Sequence, residues 1–155
     1  MSGNPFAPIH VMVVDDSAVV RQSLLAVLST VAEMTVETAA DPIIALGKMH
    51  EHWPDVVVLD LEMPRMSGLA FLRQLMRDHP LPIVICSSHI DGSSETARRF
   101  VSAGAADVVE KPRLGLRDFL NDSAMTLIDA IRDAAMLNQP RALQVDANDL
   151  LSRKN

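Results

Sequence analysis

The chain has 155 residues, 48% hydrophobic and 22% charged, with a formal net charge of −6. That length suits one domain burying roughly two-thirds of its unfolded surface, and the composition excludes a disordered chain. The acidic balance argues against nucleic acid as a direct partner; the single cysteine, Cys86, excludes an internal disulfide framework and suits a reducing compartment.

Residues 1–8 form an N-terminal extension without a basic region or apolar run, so no signal peptide is expected. No stretch approaches membrane-spanning length, and a cytoplasmic protein without membrane insertion is the expectation. Ile9 to Val14 reads as a first strand ending in Asp15-Asp16-Ser17. A helix follows, with Val20, Leu24, Val27, Leu28 and Val31 at helical spacing. Met34 to Thr38 is a short second strand. Asp41-Pro42 places a capping residue before a proline at the first helical position, and that helix runs to about His52. Val56 to Leu59 is a third strand, apolar on both faces, and it runs straight into Asp60. Pro64 prevents its continuation as a central strand.

Ser67-Gly68 opens a third helix carrying Leu69, Leu72 and Leu75. Ile83 to Cys86 is a fourth strand ending at Ser87-Ser88. Ser93 or Ser94 can cap a helix that finishes at Gly104, a good left-handed terminator. Ala106 to Val109 is a fifth strand, stopping at Lys111-Pro112. After a loop, Leu120, Ala124, Leu127, Ile128 and Ile131 mark a last helix to about Leu137. Residues 138–155 are a polar tail or the start of an interdomain linker.

Five apolar strands alternating with five amphipathic helices predict an α/β fold, a parallel sheet covered on both faces and joined by right-handed crossovers. Ligands of such sheets sit beyond the carboxyl ends of the strands. Asp15, Asp16, Asp60, Ser87 and Lys111 all fall there. Singly, each has an ordinary explanation as a cap, a turn residue or a solvated strand end; their placement at successive strand ends is what singles them out. Three carboxylates brought to about 4 Å repel by roughly 4 kcal/mol per pair at an effective dielectric near 20. A divalent cation relieves that repulsion, and an all-oxygen set selects Mg²⁺. One carboxylate can then act as a nucleophile, while Lys111 and the Ser87 hydroxyl complete an electrostatic cradle for phosphoryl transfer.

From Ile9 to Leu137 the chain resembles the receiver domain of two-component response regulators. The carrying motifs are the paired acids, Leu59-Asp60-Leu61-Glu62-Met63-Pro64, the hydroxyl residue after the fourth strand, and Lys111-Pro112. The resemblance implies a flavodoxin-like (βα)5 fold, sheet order 2-1-3-4-5, with Asp60 accepting phosphate from a histidine kinase. It also implies Mg²⁺ bound by Asp16 and Asp60, by Asp15 mainly through water and by the backbone carbonyl of Glu62, and a cis Lys111–Pro112 bond, cis being largely a proline phenomenon. More narrowly, Asp60 to Met66 with Gly68-Leu69 and Phe71-Leu72, Ser87-Ser88 and the insert after Pro112 is similar to the receiver of the chemotaxis methylesterase CheB. That similarity implies a CheA-like kinase as phosphodonor and a C-terminal methylesterase domain as output. No Gly-x-Ser-x-Gly turn follows Leu137. The expectation is therefore an excised regulatory domain or a stand-alone receiver acting by partner binding.

Two positions depart from the family. Ser67 replaces a usual acid before the glycine, with little expected effect because Ser also caps well. Val108 stands where many receivers carry an aromatic, so a switch would have to use Ser87 and its loop, with the fourth-helix, fifth-strand and fifth-helix face as output. An Asp-nucleophile phosphatase is the competing enzyme class, but it usually shows Asp-x-Asp after the first strand. A degenerate receiver used only for docking is a third reading. The histidines look scattered, without zinc-site spacing, Cys86 reads as an inert core thiol, and Arg98-Arg99 reads as a solvated face.

Overall fold

Strand β1 (Ile9–Val14) sits between β2 (Met34–Ala39) and β3 (Val56–Asp60), and β3 in turn pairs with β4 (Ile83–Ser87), which pairs with β5 (Asp107–Glu110). All pairings are parallel, and the order is β2-β1-β3-β4-β5. The structure, a computed structural model, describes residues 8–63, 67–88, 95–112 and 122–137. The expected Pro64 stop, the Ser93 or Ser94 cap, Leu120 and the tail lie outside the described residues.

The period of two along each strand builds two cores. Met12, Val14, Val57, Leu59, Ile83 and Ile85 point to one face, where they pack with residues of α2 (Pro42–Glu51), α3 (Gly68–Asp78) and α4 (Glu95–Ser102), among them Ala45, Met49, Phe71, Leu72, Leu75, Ala97 and Phe100. Val11, Val13, Val56, Val58, Val84 and Cys86 point to the other. There they meet Leu24, Val27 and Leu28 of α1 (Ala18–Ser29) and Ala124, Leu127, Ile128 and Ile131 of α5 (Asp122–Leu137). Because β1, β3 and β4 are covered on both faces, their apolar runs are continuous rather than alternating.

The caps follow the sequence closely. Ser17, Asp41 and Ser67 each accept a hydrogen bond from the backbone amide three residues on, and Pro42 occupies the first turn of α2. Helix α1 stops at Ser29, so Val31 lies past its end, although it still packs on the core. Strand β5 begins at Asp107 and includes Glu110, one residue later than the apolar run suggests.

Helix α4 ends two residues before Gly104, whose φ of +118° is open to glycine alone without strain. There the Ala105 amide donates to the Phe100 carbonyl at 3.0 Å, closing the last turn. A Cβ on Gly104 would lie 2.9 Å from Met76 Cγ and Sδ. That flexible side chain can yield; the backbone cannot. Gly104→Ala is therefore expected to cost about 1–3 kcal/mol, read as a lower urea midpoint with an unchanged slope.

Candidate functional site

Three backbone hydrogen bonds extend the ladders past the strands and bring the loops together. The Asp15 amide donates to Ala39 O at 3.1 Å, Leu61 to Cys86 O at 3.0 Å, and Lys111 to Ser87 O at 2.8 Å. Register does the rest, pairing Asp60 with Cys86 and Ser87 with Glu110. Residues 15, 60, 87 and 111 thus converge at one edge of the sheet.

Asp15 and Asp60 are each 2% exposed and Ser87 is fully buried, whereas Asp16 is exposed. Lys111 Nζ bridges the two buried carboxylates, 2.9 Å from Asp60 Oδ1 and 3.2 Å from Asp15 Oδ2. The Glu62 amide also donates to Asp60 Oδ1, at 3.0 Å, and the Ser17 amide donates to Asp15 Oδ1 at 2.8 Å. Asp60 Oδ2 is buried and has no hydrogen-bond partner among the described residues.

These surroundings set the charges. Burial pushes the Asp60 carboxyl above the usual carboxylate range; the Glu62 amide and Lys111 pull it back only in part, and the charge of Asp15 adds to the rise. Burial works against the Lys111 ammonium as well. There the hydrogen bond to Asp60 and the charges of both carboxylates prevail, and Lys111 is held above the ordinary lysine range. Cys86, next to the site in sequence, is wholly buried, and its thiol is pushed up to about 12 by that burial. It is unreactive at neutral pH.

Asp15, Asp16 and Asp60 offer carboxylate oxygens that all lie within 4.8 Å of one another, the one such group among the described residues. Hard oxygen donors without nitrogen or sulfur suit Mg²⁺ rather than zinc or copper. The uncommitted Asp60 Oδ2 gives that fit a second support: a buried carboxylate oxygen normally has a partner.

Some of the arrangement was not evident from the sequence. The Ser87 hydroxyl donates to Glu62 Oε1 at 2.6 Å, so the Glu62 side chain, and not only its backbone, belongs to the site. The expected cis Lys111–Pro112 bond is absent, since the described residues contain no cis peptide. The X–Pro bond itself prefers trans by about 0.5–1 kcal/mol, and Lys111 reaches both carboxylates with the bond in that form. Nor are the described histidines isolated from other rings. His79 stacks on Trp53 with centroids 3.5 Å apart, His50 meets the same indole edge-on at 5.2 Å, and His10 lies 4.6 Å from His52.

Fold and site together define a doubly wound α/β domain whose switch-point edge gathers acidic residues countered by one lysine. The chain belongs to the response regulator receiver domain family, whose model matches residues 11–121. It is 53% identical over 131 residues to a protein-glutamate methylesterase/protein-glutamine glutaminase of Xanthomonas euvesicatoria, covering 84% of this chain and 37% of that protein. A counterpart from Pseudomonas syringae is 50% identical over 135 residues, covering 86% and 38%. The response regulator domain of Thermotoga maritima CheB matches with a TM-score of 0.73 at 32% identity, covering 83% of this chain and 96% of that one. CheY4 of Vibrio cholerae matches with a TM-score of 0.68 at 29% identity, covering 83% and 99%. The receiver is therefore CheB-like, and the chain spans a little over a third of the length of the curated relatives it matches.

Proposed function

We propose that Asp60 is the phosphoacceptor of a chemotaxis receiver and takes its phosphoryl group from a CheA-like histidine kinase. The carrying observation is the Asp60 carboxylate itself: buried, gripped on Oδ1 by Lys111 and the Glu62 amide, uncommitted on Oδ2. A carboxylate oxygen attacks the phosphorus, the P–N bond to the donor imidazole breaks as the P–O bond forms, and the imidazole leaves with a proton from solvent. Asp15, Asp16, Asp60 and the Glu62 carbonyl would hold Mg²⁺, which when bound neutralises charge on the transferring phosphoryl oxygens. Lys111 supplies a positive charge to one of those oxygens. The Ser87 hydroxyl leaves Glu62 for another, which rearranges the contact between β4 and Glu62. Val108 is buried where an aromatic switch would sit, so the rearrangement at Ser87 is the route to the face formed by α4, β5 and α5.

Residues 9–137 are the receiver, preceded by the extension at 1–8 and followed by the tail or linker at 138–155. The output is a C-terminal methylesterase domain, as in the relatives, or a separate partner. No helix among the described residues is long and apolar enough to cross a membrane; with the chemotaxis relatives, this supports a cytoplasmic site of action.

The test is the intact mass after incubation with acetyl phosphate and Mg²⁺. One phosphoryl group, about 80 Da, is expected on the parent and none on Asp60→Asn, because the nucleophile is that carboxylate. An undiminished increment on Asp60→Asn would reject the assignment.

A further inference from the structure

Arg21 stands where helix electrostatics disfavours it. It lies in the first turn of α1, which has no acidic residue to offset the positive end of the helix dipole. Side chains on a helix tilt toward its N-terminus, and Arg21 uses that tilt: Nη1 donates to the Asp15 backbone carbonyl at 2.7 Å. The residue is half-buried.

This contact completes the fixation of Asp15. Its amide is held by Ala39, its Oδ1 by the Ser17 amide and its Oδ2 by Lys111. Arg21 takes the remaining polar group, the carbonyl of the peptide that leads into Asp16. Asp16 is the exposed member of the acidic group, so its direction depends on how that peptide plane is held.

We infer that Arg21 is a positioning residue: it orients the Asp15–Asp16 peptide so that both carboxylates face the cation position. The inference rests on the proposed reading of the acidic group as a Mg²⁺ site. It predicts a sign that simple electrostatics does not. Removing a positive charge beside a cation site should tighten cation binding through Coulomb attraction. Loss of a residue that orients the ligands should weaken it, by about 10-fold for an outer-shell contact.

The test is calorimetric titration of the unphosphorylated chain with MgCl₂, on the parent, Arg21→Met and Arg21→Lys, with the urea midpoint measured alongside. The expected result is Mg²⁺ binding weakened about 10-fold in Arg21→Met and by less in Arg21→Lys, which retains one donor. Unchanged or tighter Mg²⁺ binding in Arg21→Met overturns the inference while leaving the phosphoacceptor reading intact. If Arg21→Met does not fold, Arg21→Lys decides alone: binding equal to the parent's overturns the positioning role, and weakened binding supports it. A parent that binds no Mg²⁺ at millimolar concentration overturns the reading of the acidic group, and this inference with it.

Discussion

Lys111→Met is expected to lower stability at neutral pH by about 3 kcal/mol, the lower end of what breaking a buried ion pair costs. The substitution keeps most of the apolar stem and removes only the charge that stands between Asp15 and Asp60. Those carboxylates are almost wholly buried, and the lysine side chain is itself only 16% exposed, so water compensates poorly. The pH dependence gives the sign check. Lys111 has a folded pKa above its ordinary 10.5, so titration of the lysine itself removes none of this stabilisation below 10.5 and removes it as the pH rises through the folded value. On the acid side the deficit of the variant shrinks as Asp60, whose carboxyl is raised by burial, protonates and no longer needs a cation. Urea midpoints across the carboxylate range, at neutrality and above the lysine range should trace that curve. A midpoint equal to the parent's at neutral pH would mean that the bridge is worth no more than a surface pair.

Much of this site was legible in the sequence, because Asp15, Asp60, Ser87 and Lys111 each stand at the end of a strand that a run of β-branched or apolar residues announces. Val56 to Leu59 followed by Asp60 is a conflict between burial and charge, and such conflicts mark function. Asp41-Pro42 and Ser67-Gly68 were equally clear, since capping is local chemistry. What could not be read depends on contacts across elements. Glu62 holds Ser87 only because β3 and β4 are adjacent and in register. Arg21 could be suspected only from a basic residue at the wrong end of a helix. The stacking of His79 on Trp53 joins the segments that follow α2 and α3, which no spacing within either helix reveals. The cis peptide was an inference from resemblance alone, and the backbone of Lys111–Pro112 does not show it.

Asp60→Asn should make the domain more stable at neutral pH even as it abolishes phosphoryl uptake. Burial raises the Asp60 carboxyl above its ordinary 3.8, so its ionised form costs the folded state free energy that the unfolded chain does not bear. Asparagine is nearly isosteric and can still accept the Glu62 amide, while Lys111 keeps Asp15 as a partner at 3.2 Å. A gain of about 0.5–2 kcal/mol is expected, the range typical of relieving a functional conflict. The gain is complete above the folded pKa of Asp60 and vanishes as the pH falls to 3.8, because the protonated parent is then as neutral as the variant. Thermal or urea unfolding of both proteins across that interval measures it directly. A variant less stable than the parent at neutral pH would show that the bond to Lys111 outweighs burial, and that the domain keeps this carboxylate ionised without any sacrifice of stability.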